Sequence, residues 1–147
     1  MKIAVACDHA GLQLKNVLIE EMQKAGYEVK DFGTYTEESC DYPDYVIPTA
    51  KAVANGEFDR GVVVCGTGLG VSMTANKVHG IRCAVCHDTF SAKATRQHND
   101  ANMLAMGQRV VGTGVALEVL KAFLETDYEG GRHQRRIDKM MALEKQQ

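Results

Sequence analysis

The sequence has no tryptophan, only two prolines among its 147 residues, and no excess of charge of either sign. Its 17 basic and 19 acidic residues leave a formal net charge of −2 at pH 7. The basic surplus that drives nonspecific binding to nucleic acid is therefore missing. No apolar run approaches the roughly 20 residues that a membrane-spanning helix needs. With 45% hydrophobic and 24% charged residues, the composition is typical of a globular domain and excludes a disordered chain.

The N-terminal segment also lacks the long apolar stretch and the small-residue cleavage site of a signal peptide. Five cysteines, an odd number without framework spacing, favour reduced thiols over a disulfide network. We therefore expect a cytoplasmic protein that binds neither nucleic acid nor membranes. Its length fits a single domain covering residues 1–147.

Short apolar runs alternate with segments of helical periodicity along the whole chain. Strands are predicted at residues 2–7, 27–32, 61–65, 81–86 and 103–106. Helices are predicted at residues 11–25 and 45–55, in a segment ending near 77, at 88–97 and 113–125, and from 131 onwards, with a turn at 41–44. This alternation predicts right-handed crossovers. The expected fold class is α/β, a doubly wound, Rossmann-like three-layer α/β/α sandwich with about five parallel strands.

Such sheets bind ligands beyond the carboxyl ends of their strands, and a glycine-rich loop, Cys65-Gly-Thr-Gly-Leu-Gly70, follows the predicted strand 61–65. Alternate glycines let the backbone approach a ligand closely and direct N–H groups towards an anion. The spacing fits neither a P-loop nor a dinucleotide-binding fingerprint. The loop is therefore suited to a small anion, although a tight turn that needs glycine only for steric reasons has the same pattern.

Two groups that follow predicted strands can carry chemistry. Cys65 lies where a strand ends and a helix begins, and a helix N-terminus stabilises a thiolate. The thiol is a candidate nucleophile or general base, or else a small buried hydrophobe. Asp8 and His9 follow the first strand. A carboxylate beside an imidazole can handle a substrate hydroxyl or a phosphate, and Asp8 is equally suited to capping the next helix.

Other polar residues are ambiguous on their own pattern. Arg132 and Arg136 are four apart on a predicted helix, so they share a face that suits either a phosphate or solvent. His98 and Asn99 end a predicted helix, where a solvated turn is the simpler interpretation. Cys83 and Cys86 are three apart in a predicted strand, so their thiols point to opposite faces. This argues against haem attachment, a metal site or a redox pair.

Taken in order, these motifs resemble the ribose-5-phosphate isomerase B family and its sister galactose-6-phosphate isomerase subunits. The resemblance runs in collinear order from residue 1 to about residue 140. The matching pieces are residues 7–11, 41–43, 65–70, 75–77, 96–100, 107–112 and 130–133.

The resemblance implies interconversion of ribose 5-phosphate and ribulose 5-phosphate through a cis-enediolate, without a metal or an organic cofactor. It implies that Cys65 is the general base, in place of the glutamate that some members carry at the position of Val71. Thr67 would move protons between the two oxygens, and His98 with Asp8 would open the sugar ring. The remaining implied contacts are with the enediolate oxygen (the backbone amides of Gly66, Gly68, Leu69 and Gly70), the phosphate (His9, Arg132 and Arg136) and a sugar hydroxyl (Asn99). Arg109 is a candidate for a phosphate or interface contact, or a structural surface arginine.

The resemblance also implies a homodimer or homotetramer whose sites take residues from two subunits. His98 and the arginines would then act on a partner, and the C-terminal helix at about 131–145 would pack on it. An apolar face of Ile137, Met140 and Met141 is compatible with this, and equally with core packing. Three alternatives stay open: an isomerase of allose 6-phosphate or galactose 6-phosphate, a sugar-phosphate sensor without activity, and a thiol redox protein.

Overall fold

The computed structural model describes all 147 residues and contains one five-stranded sheet. The strands are β1 (Lys2–Cys7), β2 (Glu28–Asp31), β3 (Arg60–Cys65), β4 (Cys83–Val85) and β5 (Met103–Gly107). Their order across the sheet is β2-β1-β3-β5-β4, and every neighbouring pair is parallel. The predicted parallel α/β sheet is thus confirmed.

Six helices surround the sheet. They are α1 (Leu12–Lys24), α2 (Tyr42–Ala54), α3 (Leu69–Asn76), α4 (Thr89–Asn99), α5 (Thr113–Glu125) and α6 (Arg132–Met141). The apolar side chains of α1, α4 and α5 share one core cluster, whereas those of α2 and α3 share a second cluster on the other face of the sheet. This is the doubly wound three-layer arrangement. None of the helices combines the length and the apolar character that crossing a membrane requires.

The strands are buried on both faces, as the continuous apolar runs predicted. Residues 61–65 of β3 are all buried. In β1, Ile3 and Val5 contribute to the first core cluster, while Ala4 contributes to the second, because successive side chains of a strand point to opposite faces. The same alternation separates the two cysteines near β4: Cys86 belongs to the first cluster, and Cys83 packs against the second.

The predicted turn at residues 41–44 is wrong, because α2 already begins at Tyr42. Pro43 occupies the first turn of this helix, where a missing backbone N–H costs nothing. β4 is also shorter than the predicted strand 81–86, since the backbone N–H of Arg82 donates to the side chain of Asn102 (2.9 Å) instead of joining the ladder. Conversely, α4 continues two residues beyond the predicted end at 97 and reaches Asn99.

The course of the chain produces a topological switch point between β1 and β3. After β1 the chain crosses one face of the sheet through α1 to reach β2, and it then returns over the other face through α2 to β3. The connections leave a crevice above the carboxyl ends of β1 and β3, where sheets of this type bind ligands. Asp8 follows β1 at this crevice, and Cys65 ends β3.

Candidate active site

Cys65 lies at the centre of this edge. Its Sγ accepts a hydrogen bond from the backbone N–H of Gly68 at 3.1 Å, and the residue is 5% exposed. Gly68 immediately precedes α3 and has a positive φ of 80°, a conformation that glycine adopts without strain. The sulfur therefore faces the amide end of a helix, which favours negative charge at that position.

The loop that follows Cys65 is tightly packed. A Cβ on Gly68 would lie 2.9 Å from the carbonyl carbon of Met106, and a Cβ on Gly70 would lie 2.6 Å from the ring of Tyr42. Steric need therefore explains part of the glycine pattern, while the amide directed at Cys65 supports the anion interpretation. Tyr42, which the sequence analysis did not assign to the site, covers the start of α3.

Thr67 and Leu69 form the outer rim of the loop. The hydroxyl oxygen of Thr67 accepts the N–H of Leu69 at 3.3 Å, and both residues are exposed. A Cβ on Gly107 would lie 2.5 Å from the carbonyl carbon of Thr67, so the end of β5 supports this rim from below. The Thr67 hydroxyl is thus held at the mouth of the crevice, where it can reach a ligand above Cys65.

The segment after β5 brings Arg109 to the glycine loop. The backbone N–H of Gln108 donates to the carbonyl of Cys65 (2.9 Å), and that of Arg109 donates to the carbonyl of Gly66 (3.0 Å). The Arg109 guanidinium lies over Gly66, with Nη1 3.3 Å from where a Cβ would be. A cation is thereby placed directly beside the amides of the loop, an arrangement suited to an anionic ligand.

Asp8 and His9 complete this edge from the β1 side. Asp8 is buried, and its Oδ1 accepts the N–H of Ala10 at 2.9 Å, so the capping role is confirmed while Oδ2 is left for other partners. The Nδ1 of His9 accepts the backbone N–H of Cys40 at 3.2 Å. A neutral His9 ring therefore carries its proton on Nε2, which can donate to an anion in the crevice.

Burial raises the pKa of three other thiols. The pKa of Cys7 is raised to about 12 and that of Cys86 to about 11, and burial also raises the pKa of Cys83. A thiol with such a pKa stays protonated at neutral pH and is a poor nucleophile or base. Among these buried cysteines, only the sulfur of Cys65 accepts a hydrogen bond from a backbone amide.

His87, two residues after the end of β4, supports the same edge and was given no role by the sequence analysis. Its Nε2 accepts the N–H of Gly107 at 2.8 Å, and burial lowers the pKa of the imidazole. The neutral ring thus remains an acceptor and anchors the end of β5 beneath Thr67. Its place after a strand is the signal that could have identified it.

The remaining predicted residues form a second group on α4 and α6. His98 and Asn99 are exposed in the last turn of α4, and Arg132 and Arg136 are exposed one turn apart on α6. The rings of His98 and His133 are stacked, with centroids 4.5 Å apart. This contact joins the two helices.

The second group lies at the amino edge of the sheet, opposite Cys65. Arg82, which precedes β4, donates to the carbonyl of Asn99 (2.9 Å) and to that of Asp100 (2.8 Å). The 11 residues of α4 separate the two edges by about 16 Å. Asp8 and His98, which the resemblance pairs in ring opening, are therefore not brought together within one chain.

A cavity of about 570 Å³ lies away from Cys65. It opens between the end of α3, the start of β4 and the C-terminal segment, with Asn99 and Met140 in its wall.

Comparison with known proteins agrees with this architecture. A family model described as Ribose/Galactose Isomerase matches residues 3–140. The chain is 49% identical over 143 residues to ribose-5-phosphate isomerase B of Escherichia coli (strain K12), which covers 97% of this chain and 96% of that protein. It is 39% identical over 148 residues to D-erythrulose-4-phosphate isomerase of Pectobacterium atrosepticum, with coverage of 100% and 97%.

Solved structures superpose closely on the chain. Ribose-5-phosphate isomerase B of Clostridium thermocellum has a TM-score of 0.98 at 51% identity, and 99% of each chain is covered. The enzyme of Mycoplasma genitalium, solved with bound ribulose-5-phosphate, has a TM-score of 0.95 at 40% identity, covering 99% of this chain and 97% of that one.

Proposed function

This chain belongs to the ribose/galactose isomerase family, and from that premise we propose that it interconverts ribose 5-phosphate and ribulose 5-phosphate with Cys65 as the general base. The observation that supports this assignment is the hydrogen bond from the Gly68 amide to the Cys65 sulfur at 3.1 Å, at the ligand-binding edge of the sheet. The coverage of nearly the whole chain by relatives that carry this activity in their names supports the choice of reaction.

The reaction needs a base at C2 and a stabiliser for the oxygen at C1. In the open-chain aldose, the Cys65 thiolate removes the proton from C2, and the electron pair moves to the C1 carbonyl to form a cis-enediolate. The amides of the loop from Gly66 to Gly70 stabilise the negative oxygen. Thr67 transfers a proton from O2 to O1, and the Cys65 thiol returns its proton to C1, which gives the ketose and restores the thiolate.

The phosphate anchors the substrate at the rim of the crevice. The Nε2–H of His9 donates to it from the β1 side, and the Arg109 guanidinium supplies positive charge from the β5 side. Arginine suits this role because its planar group presents several donors to phosphate oxygens at once. The anchored phosphate holds C1 and C2 over the thiolate.

The site is completed by a second copy of the chain. That copy supplies the amino-edge group, which consists of His98, Asn99, Arg132 and Arg136. His98 of that copy protonates the ring oxygen of the furanose while Asp8 accepts the proton of the O1 hydroxyl. Arg132 and Arg136 of that copy bind the phosphate, and Asn99 binds a sugar hydroxyl. The separation of the two edges within one chain supports this arrangement, since the edge that holds the base Cys65 lacks the imidazole that protonates the ring oxygen.

Exposed apolar side chains at both edges support the pairing of copies. Phe90 is 80% exposed and Met73 64% exposed, while Leu143, in the turn after α6, is 53% exposed. Packing such side chains against a second copy removes apolar surface from water, which favours association. We propose that the segment 131–145 packs on the partner in a homodimer or homotetramer, and that the five free thiols reflect a cytoplasmic location.

The proposed activity is tested by proton NMR of the full chain with ribose 5-phosphate in deuterated water. We expect ribulose 5-phosphate to form and the C2 proton of recovered ribose 5-phosphate to exchange for deuterium. Binding without exchange would identify a sugar-phosphate sensor instead. The kcat/KM values for ribose 5-phosphate, allose 6-phosphate and galactose 6-phosphate decide the substrate, and a higher value for a six-carbon sugar would reassign it.

A further inference from the structure

Three metal-binding side chains converge beside the amino-edge group. They are His98 from the last turn of α4, Glu129 from the segment before α6, and His133 from the first turn of α6. Their candidate ligand atoms all lie within 4.8 Å of one another. The Nε2 of His133 is 3.4 Å from Oε2 of Glu129. Neither Glu129 nor His133 has a role in the proposed reaction.

We propose that His98, Glu129 and His133 bind a divalent transition metal of the zinc class, and that an ion bound there inhibits isomerisation by occupying the His98 imidazole. The existence of the site is independent of the proposed function. The inhibition rests on it, because it follows from the ring-opening role of His98.

The donor set decides the class of ion. Two imidazole nitrogens and one carboxylate, with a fourth position left for water, match the ligands of tetrahedral zinc sites. Magnesium and calcium prefer sets made entirely of oxygen donors. Ions such as Zn²⁺, Co²⁺ and Ni²⁺ accept imidazole readily.

The backbone holds the segments of the cluster together before any ion binds. The N–H of Glu129 donates to the carbonyl of Gln97, the neighbour of His98, at 3.1 Å. Beneath them, the buried Arg96 donates through Nε to the carbonyl of Thr126 (3.3 Å) and through Nη1 to that of Ala101 (2.7 Å). These bonds tie the end of α4 to the chain that leads into α6, so only side chains must move to form the site.

The required movement is small. Ligand atoms around a tetrahedral zinc ion are about 3.3 Å apart, given metal–ligand distances of about 2.0–2.2 Å, so the widest pair in the cluster must close by roughly 1.5 Å. Rotation of the His98 ring out of its stack on His133 directs both nitrogens to one point. His98 is exposed and the Glu129 side chain is 50% exposed, which leaves both free to rotate.

Inhibition follows because the metal ion occupies the lone pair of a His98 ring nitrogen. A ring nitrogen bound to a metal ion cannot exchange a proton, and coordination fixes the ring beside His133, which keeps its second nitrogen from turning towards the sugar. An occupied site therefore removes the group that delivers a proton to the sugar ring. It leaves Cys65, at the opposite edge of its own chain, unaffected.

The site is tested on the full, metal-free chain by titration with Co²⁺, which gives an intense visible absorption in tetrahedral coordination, and by calorimetry with Zn²⁺. We expect Glu129→Gln and His133→Gln each to weaken binding by about tenfold or more. His79→Gln, which changes an exposed histidine outside the cluster, serves as the matched control and binds like the parent. Because Glu129 is half exposed, its variant keeps the test valid if the His133 variant does not fold. Unchanged affinity in Glu129→Gln would overturn the site and place the ion elsewhere, for example on thiols.

The inhibition is tested separately by isomerase assays with added Zn²⁺. We expect the parent and His79→Gln to be inhibited at concentrations that fill the site, whereas Glu129→Gln resists. Ion binding at the cluster without loss of activity would overturn the inhibition and leave the site intact. A chain without any isomerase activity would contradict the proposed function, and the Co²⁺ titration would still decide whether the site exists.

Discussion

At the carboxyl edge of the sheet, the loops after β1, β3 and β5 hold their side chains through backbone hydrogen bonds. At the amino edge, His98, Arg132 and Arg136 stand exposed on two helices. The first edge has the Cys65 sulfur beside the Gly68 amide. It also has the Asp8 carboxylate, which caps the following helix, and the Arg109 guanidinium over the glycine loop. The second has a stacked imidazole and two guanidiniums.

In the proposed reaction, the buried, preorganised half-site and the exposed half-site have different tasks. Proton abstraction from carbon depends on fixed amides around the developing charge, and the carboxyl edge supplies this rigidity. Ring opening and phosphate capture need groups that approach from above the substrate. An exposed edge of a second copy can bring such groups without disturbing the first.

Replacing Cys65 breaks the carboxyl edge and has the largest expected effect. We expect Cys65→Ala to lower kcat by about 10²–10⁴-fold, the usual contribution of a general base, while sugar-phosphate binding persists. Initial-rate assays measure kcat, and calorimetry measures sugar-phosphate binding. Cys83→Ala is the matched control, because burial keeps that thiol protonated. Full activity of Cys65→Ala would refute the assignment of the base.

Replacing Arg132 and Arg136 removes the proposed phosphate contacts of the amino edge. The double variant Arg132→Ala/Arg136→Ala should lower kcat/KM by at least about 10²-fold, mainly through KM, because each charged hydrogen bond to phosphate contributes about 1.5–3 kcal/mol. Arg135→Ala is the control, because Arg135 is rotated by about 100° from Arg136 around the same helix and therefore faces away from the proposed phosphate site. Equal effects of the two changes would mean that α6 acts only through its overall charge.

Replacing His98 sharpens the comparison by separating ring opening from proton transfer at carbon. Ribose 5-phosphate forms a furanose ring that must be opened, whereas exchange of the C1 proton of ribulose 5-phosphate with solvent needs only the enediolate and no ring. We expect His98→Gln to slow net conversion of ribose 5-phosphate by about tenfold or more, with a smaller effect on deuterium uptake at C1 of ribulose 5-phosphate in deuterated water. An equal loss of conversion and exchange would argue against a ring-opening role.

The smallest effect concerns stability at high pH. The pKa of Cys7 is raised from 9.0 to about 12 in the folded chain, so folding favours the neutral thiol. Its contribution is complete below pH 9 and is lost as the pH rises towards 12. We expect the free energy of unfolding in urea to fall less steeply over this range in Cys7→Ala than in the parent. Parallel curves would show that Cys7 does not set this pH dependence.

Strand periodicity and the rule that ligands bind at carboxyl ends identified Asp8 and Cys65, because both patterns are local. The start of α2 was missed because Pro43 and its neighbours suit a turn and a first helical turn equally well. The approach of Tyr42 to Gly70, and of His133 to His98, depends on packing between distant segments. Alternation of strands and helices along the chain places the end of α4 at the amino edge. A single sequence does not say whether His98 at this end would act with Cys65 of its own chain or of a second copy.

The central claim, that one site joins the two edges across two chains, is tested most directly by mixing two inactive variants. Cys65→Ala and Arg132→Ala/Arg136→Ala are combined, exchanged into mixed oligomers and assayed for isomerisation. If each site takes its base from one chain and its arginines from another, half of the dimers are mixed and one of their two sites is intact, which restores about a quarter of the parent activity. Activity that stays at the level of the separate variants after confirmed subunit exchange would contradict a shared site.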